Sequence, residues 1–251
     1  MNQDRALVIL PTFNERENLR TVVEGIRKYG HDVLVVDDNS PDGTGRLADE
    51  MAAADRGVSV LHRPGKLGLG TAYVSGFKLG LERGYGFLVQ MDADGSHLPE
   101  FLDPLIAAAR EDGGLAVGSR YVPGGQIVAG WGPHRRFLSS AANRYCRLVL
   151  SLTVHDCTAG FRCYSRKVLE DIHLDDVASH GYAFQVEMTV RCRRAGHRIV
   201  EIPIRFEERL AGKSKVSQRE IREALFMVLR LRFPGSKLLQ RSAEPVPGSE
   251  G

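Results

Sequence analysis

The sequence predicts an α/β fold in which a mostly parallel sheet is covered by helices, and three observations carry that prediction. Short apolar runs rich in β-branched residues recur along the first half of the chain. Segments with apolar residues at helical spacing separate them. The runs end in polar loops rather than hairpin turns, so successive strands lie parallel with their connecting helices on the faces. Gln218 to Phe233 adds a C-terminal amphipathic helix to a single domain.

Taken in order, Ala6 to Leu10 reads as a buried strand running into Pro11-Thr12-Phe13-Asn14, where Asn14 can cap a helix with Glu17 reaching back. Leu19, Val22, Val23 and Ile26 then fall on one helical face. Val33 to Val36 is a second strand, ended by the polar turn Asp37 to Gly43 and followed by another helix. A third strand is expected at Val58 to Leu61, a helix from about Leu67 to Arg83, and strands at Phe87 to Met91 and Leu115 to Ser119. Tyr121 to Pro133, rich in glycine around the only tryptophan, Trp131, reads as a long loop of the kind that serves as a lid or binding segment. Helices near 136–152 and 183–194 and a strand at Ile199 to Arg205 follow, and residues 242–251 read as a disordered tail.

A chain of 251 residues, 43% hydrophobic and 26% charged, can bury one sizeable core. Its net charge of +3 points to no nucleic acid partner. Cys146, Cys157, Cys163 and Cys192 form no CxxC pair, and the opening residues lack the pattern of a secretory signal; free thiols in a reducing cytoplasm are expected. No segment reaches the roughly 18 to 20 consecutive apolar residues of a membrane span, so contact with a membrane would be peripheral.

In parallel sheets ligands bind beyond the carboxyl ends of the strands, which selects Pro11 to Glu15, Asp37 to Asp42 and Asp92 to His97. Asp92 and Asp94 emerge together after an apolar strand, an arrangement of hard oxygen donors that suits Mg²⁺ or Mn²⁺ bridging to phosphate; taken alone, the same residues describe a solvated turn before the helix near Pro99. Asp37 and Asp38 can accept hydrogen bonds from a nucleobase or ribose, or form a turn, or do both. The run Arg63 to Gly70 lacks Walker A and GxGxxG spacing, and Gly68, Ala72, Gly76 and Gly80 form a small-residue face suited to close packing. Arg120, Arg135, Arg136, Arg209, Lys213 and Lys215 are candidate phosphate contacts or ordinary surface charge. His97, the only histidine near the acidic pair, reads as a helix-start residue rather than a catalyst.

Together, Pro11-Thr12-Phe13-Asn14-Glu15-Arg16-Glu17-Asn18, Val35 to Thr44, Gly65-Lys66-Leu67-Gly68-Leu69-Gly70 and Met91-Asp92-Ala93-Asp94 resemble glycosyltransferase family 2, and within it the polyprenol-phosphate (dolichol-phosphate) mannosyltransferases. Gly118 to Tyr121, Asp156 to Arg162, Phe184 to Glu187 and Arg209 to Lys215 extend the resemblance over nearly the whole chain. It implies a GT-A (Rossmann-like) domain over residues 1–241, with a nucleotide-sugar half at 1–120 and an acceptor and membrane-facing half at 121–241. It also implies inverting transfer from GDP-mannose to a polyprenyl monophosphate. Carried over by motif, Pro11, Phe13, Glu15, Val36 and Asp38 frame the guanosine, while Asp92, Ala93 and Asp94 hold the diphosphate and a Mg²⁺ or Mn²⁺ ion. Arg120, Arg209 and Lys215 contact phosphates, and Asp92, Asp94 and Arg120 carry catalysis.

One position departs from the family pattern, since many members carry glutamine two residues after the second aspartate and this chain has Ser96, a weaker candidate metal ligand. An acceptor phosphate is already an anion, so the chemistry needs positioning and charge neutralisation rather than a protein base. The acceptor lies in a bilayer, which implies an enzyme at the cytoplasmic face of a membrane. The basic amphipathic segment 218–241 either touches that membrane or packs its apolar face on the sheet. Some members carry membrane helices after this point and this sequence has none, which leaves a place for an integral membrane partner protein. Two other functions fit the same pattern: transfer to another acceptor or from UDP-glucose, and nucleotide-sugar sensing without turnover.

Overall fold

The computed structural model describes residues 5–128, 132–177, 179, 181–208 and 218–233. Its centre is a seven-stranded mixed sheet in the order β3-β2-β1-β4-β7-β5-β8. The strands are β1 (Ala6–Thr12), β2 (Asp32–Asp37), β3 (Val58–His62), β4 (Phe87–Gln90), β5 (Leu115–Ser119), β7 (Arg162–Ser165) and β8 (Ile199–Pro203). A second, two-stranded sheet pairs β6 (Gln126–Ile127) with β9 (Arg205–Phe206). All ladders of the main sheet are parallel except those of β7, which runs antiparallel to both β4 and β5.

Both faces of the sheet are covered, and alternation along β1 shows how. Ala6, Val8 and Leu10 point to a core shared with α1 (Arg16–Lys28), α2 (Thr44–Ala54) and α4 (Leu102–Asp112), through Leu19, Val23, Ala48 and Leu105. Leu7 and Ile9 point the other way, to α3 (Leu69–Glu82), α6 (Arg166–Asp171) and α7 (Tyr182–Arg194), through Tyr73, Phe77, Leu169 and Phe184. Double burial explains why these strands read as continuous apolar runs. A third cluster lies between α5 (Pro133–Leu150), α7 and α8 (Gln218–Arg232), built on Cys146, Leu150, Val186, Val190 and Val228.

The small-residue face of α3 is explained by close approach. A Cβ at Gly76 would lie 2.6 Å from the Ile9 side chain, and one at Gly80 2.3 Å from that of Leu88. Gly68 belongs to the entry of α3 instead, with φ of 100°.

Several expectations require correction. Asn14 does not cap α1: it adopts a left-handed conformation, φ 62°, and the helix entry is held from the neighbouring loop. There the Glu15 N–H donates to Thr44 Oγ1 at 3.0 Å and the Arg16 N–H to Asp42 at 3.2 Å. The strand expected at 199–205 divides into β8 and β9, because Pro203 offers no N–H and the chain leaves β5 there to pair with β6. β7 and α6 were not expected: a four-residue strand opening on arginine has no period of its own and is defined by the two strands it fills between. α8 packs on α5 and α7 rather than on the sheet, with Val228 buried while Leu225 and Phe226 stay exposed. Ile221 and the arginines at 219 and 222 fall outside the residues whose side chains are described, as do Trp131 and the tail at 242–251.

Candidate active site

The strand order reverses between β1 and β4, so the loops after β1, β2 and β4 diverge around a crevice at the carboxyl end of the sheet, the place where open α/β sheets bind ligands. Three groups of side chains meet there.

The first group follows β1 and β2. Asp37 serves the turn, accepting from Thr12 Oγ1 at 3.1 Å and from Ser40 Oγ at 2.6 Å. Asp38 instead faces Arg63, whose Nε lies 3.2 Å from Asp38 Oδ1 with both side chains buried. Burial is the largest influence on Asp38 and raises its pKa, against the opposing charge of Arg63. No aligned hydrogen bond reaches Asp38 Oδ1 or Arg63 Nη1, which leaves an acceptor and a donor unspent beside the crevice. Lys66 stands over the Phe13 ring, with Nζ 4.7 Å from the centroid. Pro11 and Phe13 are half-buried at the crevice, and Glu15 accepts from Asn18 at 2.8 Å. Val36 is wholly buried in the core facing α3, so only its main chain can meet a ligand.

The second group is the loop after β4. Asp92 Oδ1 accepts from the buried Tyr73 hydroxyl at 3.0 Å, which orients the carboxylate. Asp92 Oδ2 lies over Gly160, where a Cβ would sit 3.1 Å away, so glycine at 160 preserves space beside that oxygen. Asp94 Oδ1 accepts from the Ser96 N–H at 3.0 Å and the Ser96 hydroxyl at 2.6 Å. Ser96, read above as a weak metal ligand, thus orients Asp94. His97 is buried and accepts the Asp92 N–H at Nδ1, 3.1 Å away. Burial is the largest influence on its pKa and pushes it down against the raising effect of the neighbouring carboxylates; with Nδ1 accepting, the ring proton sits on Nε2.

The third group surrounds Arg120 at the end of β5. Its Nε and Nη2 each donate to Asp156 at 2.7 Å, and Nη2 also reaches Thr158 Oγ1 at 3.0 Å. Both partners are buried. Burial is the largest influence on Asp156 and pushes its pKa up, but the charge and hydrogen bonds of Arg120 prevail and hold it below the usual carboxylate range. Glu201 supports the loop by accepting the Asp156 N–H at 2.9 Å. Arg135 and Arg136 occupy the exposed first turn of α5, and Arg209, Lys213 and Lys215 lie outside the described residues.

Six of these participants were not singled out as site residues from the sequence. Arg63 and Lys66 sit in a run set aside for lacking phosphate-loop spacing, although Lys66 is part of the family pattern. Asp156 and Gly160 lie in the family motif Asp156 to Arg162 but were given no role there, and Tyr73 and Glu201 act through other residues, which leaves no spacing signature.

Among the described residues no cluster of three His, Cys, Asp or Glu side chains could hold a metal by itself. Two carboxylates at one strand end nevertheless suit a hard cation that takes its remaining oxygens from a diphosphate and water.

A reversed α/β sheet with an acidic pair at its crevice, a buried carboxylate paired with Arg63 and a buried Arg120–Asp156 ion pair belongs to the GT-A type of glycosyltransferase fold. Residues 7–173 match Glycosyl transferase family 2, and the chain belongs to that family. It is 54% identical over 227 residues to the polyprenol monophosphomannose synthase of Mycolicibacterium smegmatis, covering 89% of this chain and 85% of that protein. It is 51% identical over 228 residues to the undecaprenyl-phosphate mannosyltransferase of Micrococcus luteus, covering 90% and 93%. In fold it is similar to glucosyl-3-phosphoglycerate synthase from Mycobacterium tuberculosis, crystallised with Mn²⁺, UDP-glucose and glycerol 3-phosphate, at a TM-score of 0.62 and 19% identity over 97% of this chain and 82% of that one. A mannosyltransferase from Pyrobaculum calidifontis in complex with GDP-Man and Mn²⁺ aligns at a TM-score of 0.51 and 14% identity, over 97% and 76%.

Proposed function

We propose that the enzyme transfers mannose from GDP-mannose to a polyprenyl monophosphate with inversion at the sugar carbon, giving polyprenyl-phosphate mannose and GDP. Relatives above half identity are named for mannose transfer to a polyprenyl phosphate, and one structural observation favours an acceptor of this kind. The imidazole beside the acidic pair is buried and its Nδ1 already accepts the Asp92 N–H at 3.1 Å, so its basic nitrogen is not turned to a sugar hydroxyl. A phosphate monoester, with a second pKa of about 6, needs no such base.

In this reading the half at 1–120 binds the donor. Asp38 and Arg63 read the base, Lys66 and Phe13 cover the nucleoside, and Asp92 and Asp94 hold the diphosphate together with Mg²⁺ or Mn²⁺. The cation, when bound, neutralises charge on the departing diphosphate. The half at 121–241 binds the acceptor: its Asp156 fixes Arg120, the last residue of the first half, and its Arg209 and Lys215 belong to the family motif. An acceptor oxygen attacks the anomeric carbon as its bond to the diphosphate breaks; no proton moves. Arg120 offsets repulsion between the two phosphates by preorganised charge.

The expected result with Mn²⁺, radiolabelled GDP-mannose and a polyprenyl phosphate is label in the lipid phase; none at high enzyme concentration would overturn the reading. UDP-glucose in a parallel reaction is expected to give none, and preferential glucose transfer would reassign the donor.

Among the described residues no helix is long and apolar enough to cross a membrane. The helix α5 carries four arginines and no acidic residue, and it exposes Phe137 and Leu148, each 71% accessible. Leu225 and Phe226 of the adjacent α8 are exposed as well. We assign this face to peripheral contact with an anionic cytoplasmic leaflet, where arginines meet headgroups and apolar side chains enter the interface. Flotation with phosphatidylglycerol vesicles is expected for the wild type, and F137E/L148E should lower the floated fraction at least about tenfold, as lost apolar insertion requires. Equal flotation would remove this assignment.

A further inference from the structure

The contacts of His97 extend further than the backbone of Asp92. Its ring stacks on Phe161, with centroids 5.1 Å apart and planes 15° from parallel, and meets Phe206 edge-on at 5.5 Å. The same Phe206 ring carries the Arg120 guanidinium, 5.2 Å from the centroid. The main chain repeats the connection. His97 and Phe206 form an isolated antiparallel bridge, and the Glu207 N–H donates to Ser96 O at 3.0 Å. The loop bearing the acidic pair and the arginine at the end of β5 are therefore joined through two aromatic contacts, although β7 separates their parent strands in the sheet.

We propose that His97 and Phe206 are positioning residues that set the spacing between the Asp92–Asp94 loop and Arg120, His97 acting as a hydrogen-bond acceptor at Nδ1 and Phe206 as the rigid spacer. This rests on the reading of the two halves as donor and acceptor sites. The requirement at 97 is specific: an acceptor must stand where Nδ1 stands, since the part-buried Asp92 N–H would otherwise lose its bond to the buried ring. The requirement at 206 is for a ring, because only an aromatic face presents both an edge-on surface to the imidazole and a π-face to a cation.

Two amides discriminate the role at 97. Asparagine places its oxygen close to the position of Nδ1, and glutamine places it close to that of Nε2. In calorimetric titrations of Mn²⁺ with GDP, H97N is expected to bind within about threefold of wild type and H97Q about tenfold or more weaker, the scale of one buried hydrogen bond. Equal binding by both, or loss in both with folding intact, overturns the role of Nδ1. F206L should bind Mn²⁺ and GDP as wild type does yet lose about tenfold in kcat, a loss confined to alignment of the two halves; wild-type kcat overturns the spacer. Should neither histidine variant fold, the kcat of F206L decides whether the His97–Phe206 contact sets the spacing, and wild-type kcat overturns the proposal. A wild-type protein that fails to bind GDP with Mn²⁺ would instead refute the donor reading, which separates the two failures.

Discussion

Asp94→Asn is expected to lower turnover by about a thousandfold while leaving the fold intact. Loss of a carboxylate that shares in holding the cation removes several kcal/mol of charge stabilisation, and about 4 kcal/mol corresponds to that factor. The substitution is chosen because the remaining amide oxygen can still accept from both the Ser96 N–H and the Ser96 hydroxyl, at 3.0 and 2.6 Å in the wild type. Local geometry is thereby preserved while charge is lost. Thermal unfolding should move by no more than a few degrees, the shift expected for about 1 kcal/mol in a domain of this size. Near wild-type turnover would show that the acidic pair is a turn and not a diphosphate clamp.

Asp156→Asn is expected to be the most damaging single change for stability, at about 3–5 kcal/mol, because it leaves a buried guanidinium without its countercharge. In the wild type the carboxylate accepts Arg120 Nε, Nη2 and the Arg120 backbone N–H; an amide would turn an NH₂ group toward one of those donors. Urea unfolding measures the loss directly. The pH dependence has a definite sign. Asp156 is held below its ordinary range, so the pair stabilises the fold above the unfolded-state pKa of about 3.9 and this contribution disappears as pH falls through the lower folded value. The variant should therefore show a shallower loss of stability in that acid window. Replacing both partners, as R120M/D156L, should recover much of the stability, since apolar pairs of similar volume often substitute for buried ion pairs. It should not recover turnover. Recovery of both would reduce Arg120 to a structural residue.

Much of the fold was legible because it rests on local pattern. β1, β2, β4 and β5 are buried on both faces and announce themselves as apolar runs, and the spacing of Leu19, Val22, Val23 and Ile26 matches the buried face of α1. Positions of Asp38, Asp92 and Asp94 at the crevice followed from their place at strand ends. Elements defined by their neighbours were not legible. β7 is a strand because β4 and β5 flank it, and the break between β8 and β9 depends on what lies beside Pro203.

The acidic pair shows the same division. Sequence alone determined that two carboxylates would leave a buried strand together, because a short apolar run followed by Asp-Ala-Asp has few other ways to fold. It also determined the family, since many ordered motifs recur over the chain. Only the tertiary structure decided how the carboxylates are aimed: Tyr73 from α3, Ser96, and His97 backed by Phe161 and Phe206 each fix part of the loop. It alone decided that Arg120 is locked to Asp156, 36 residues away. Hydrogen bonds and ring contacts between distant segments leave no period or spacing in the chain, and they appear only when packing brings their partners together.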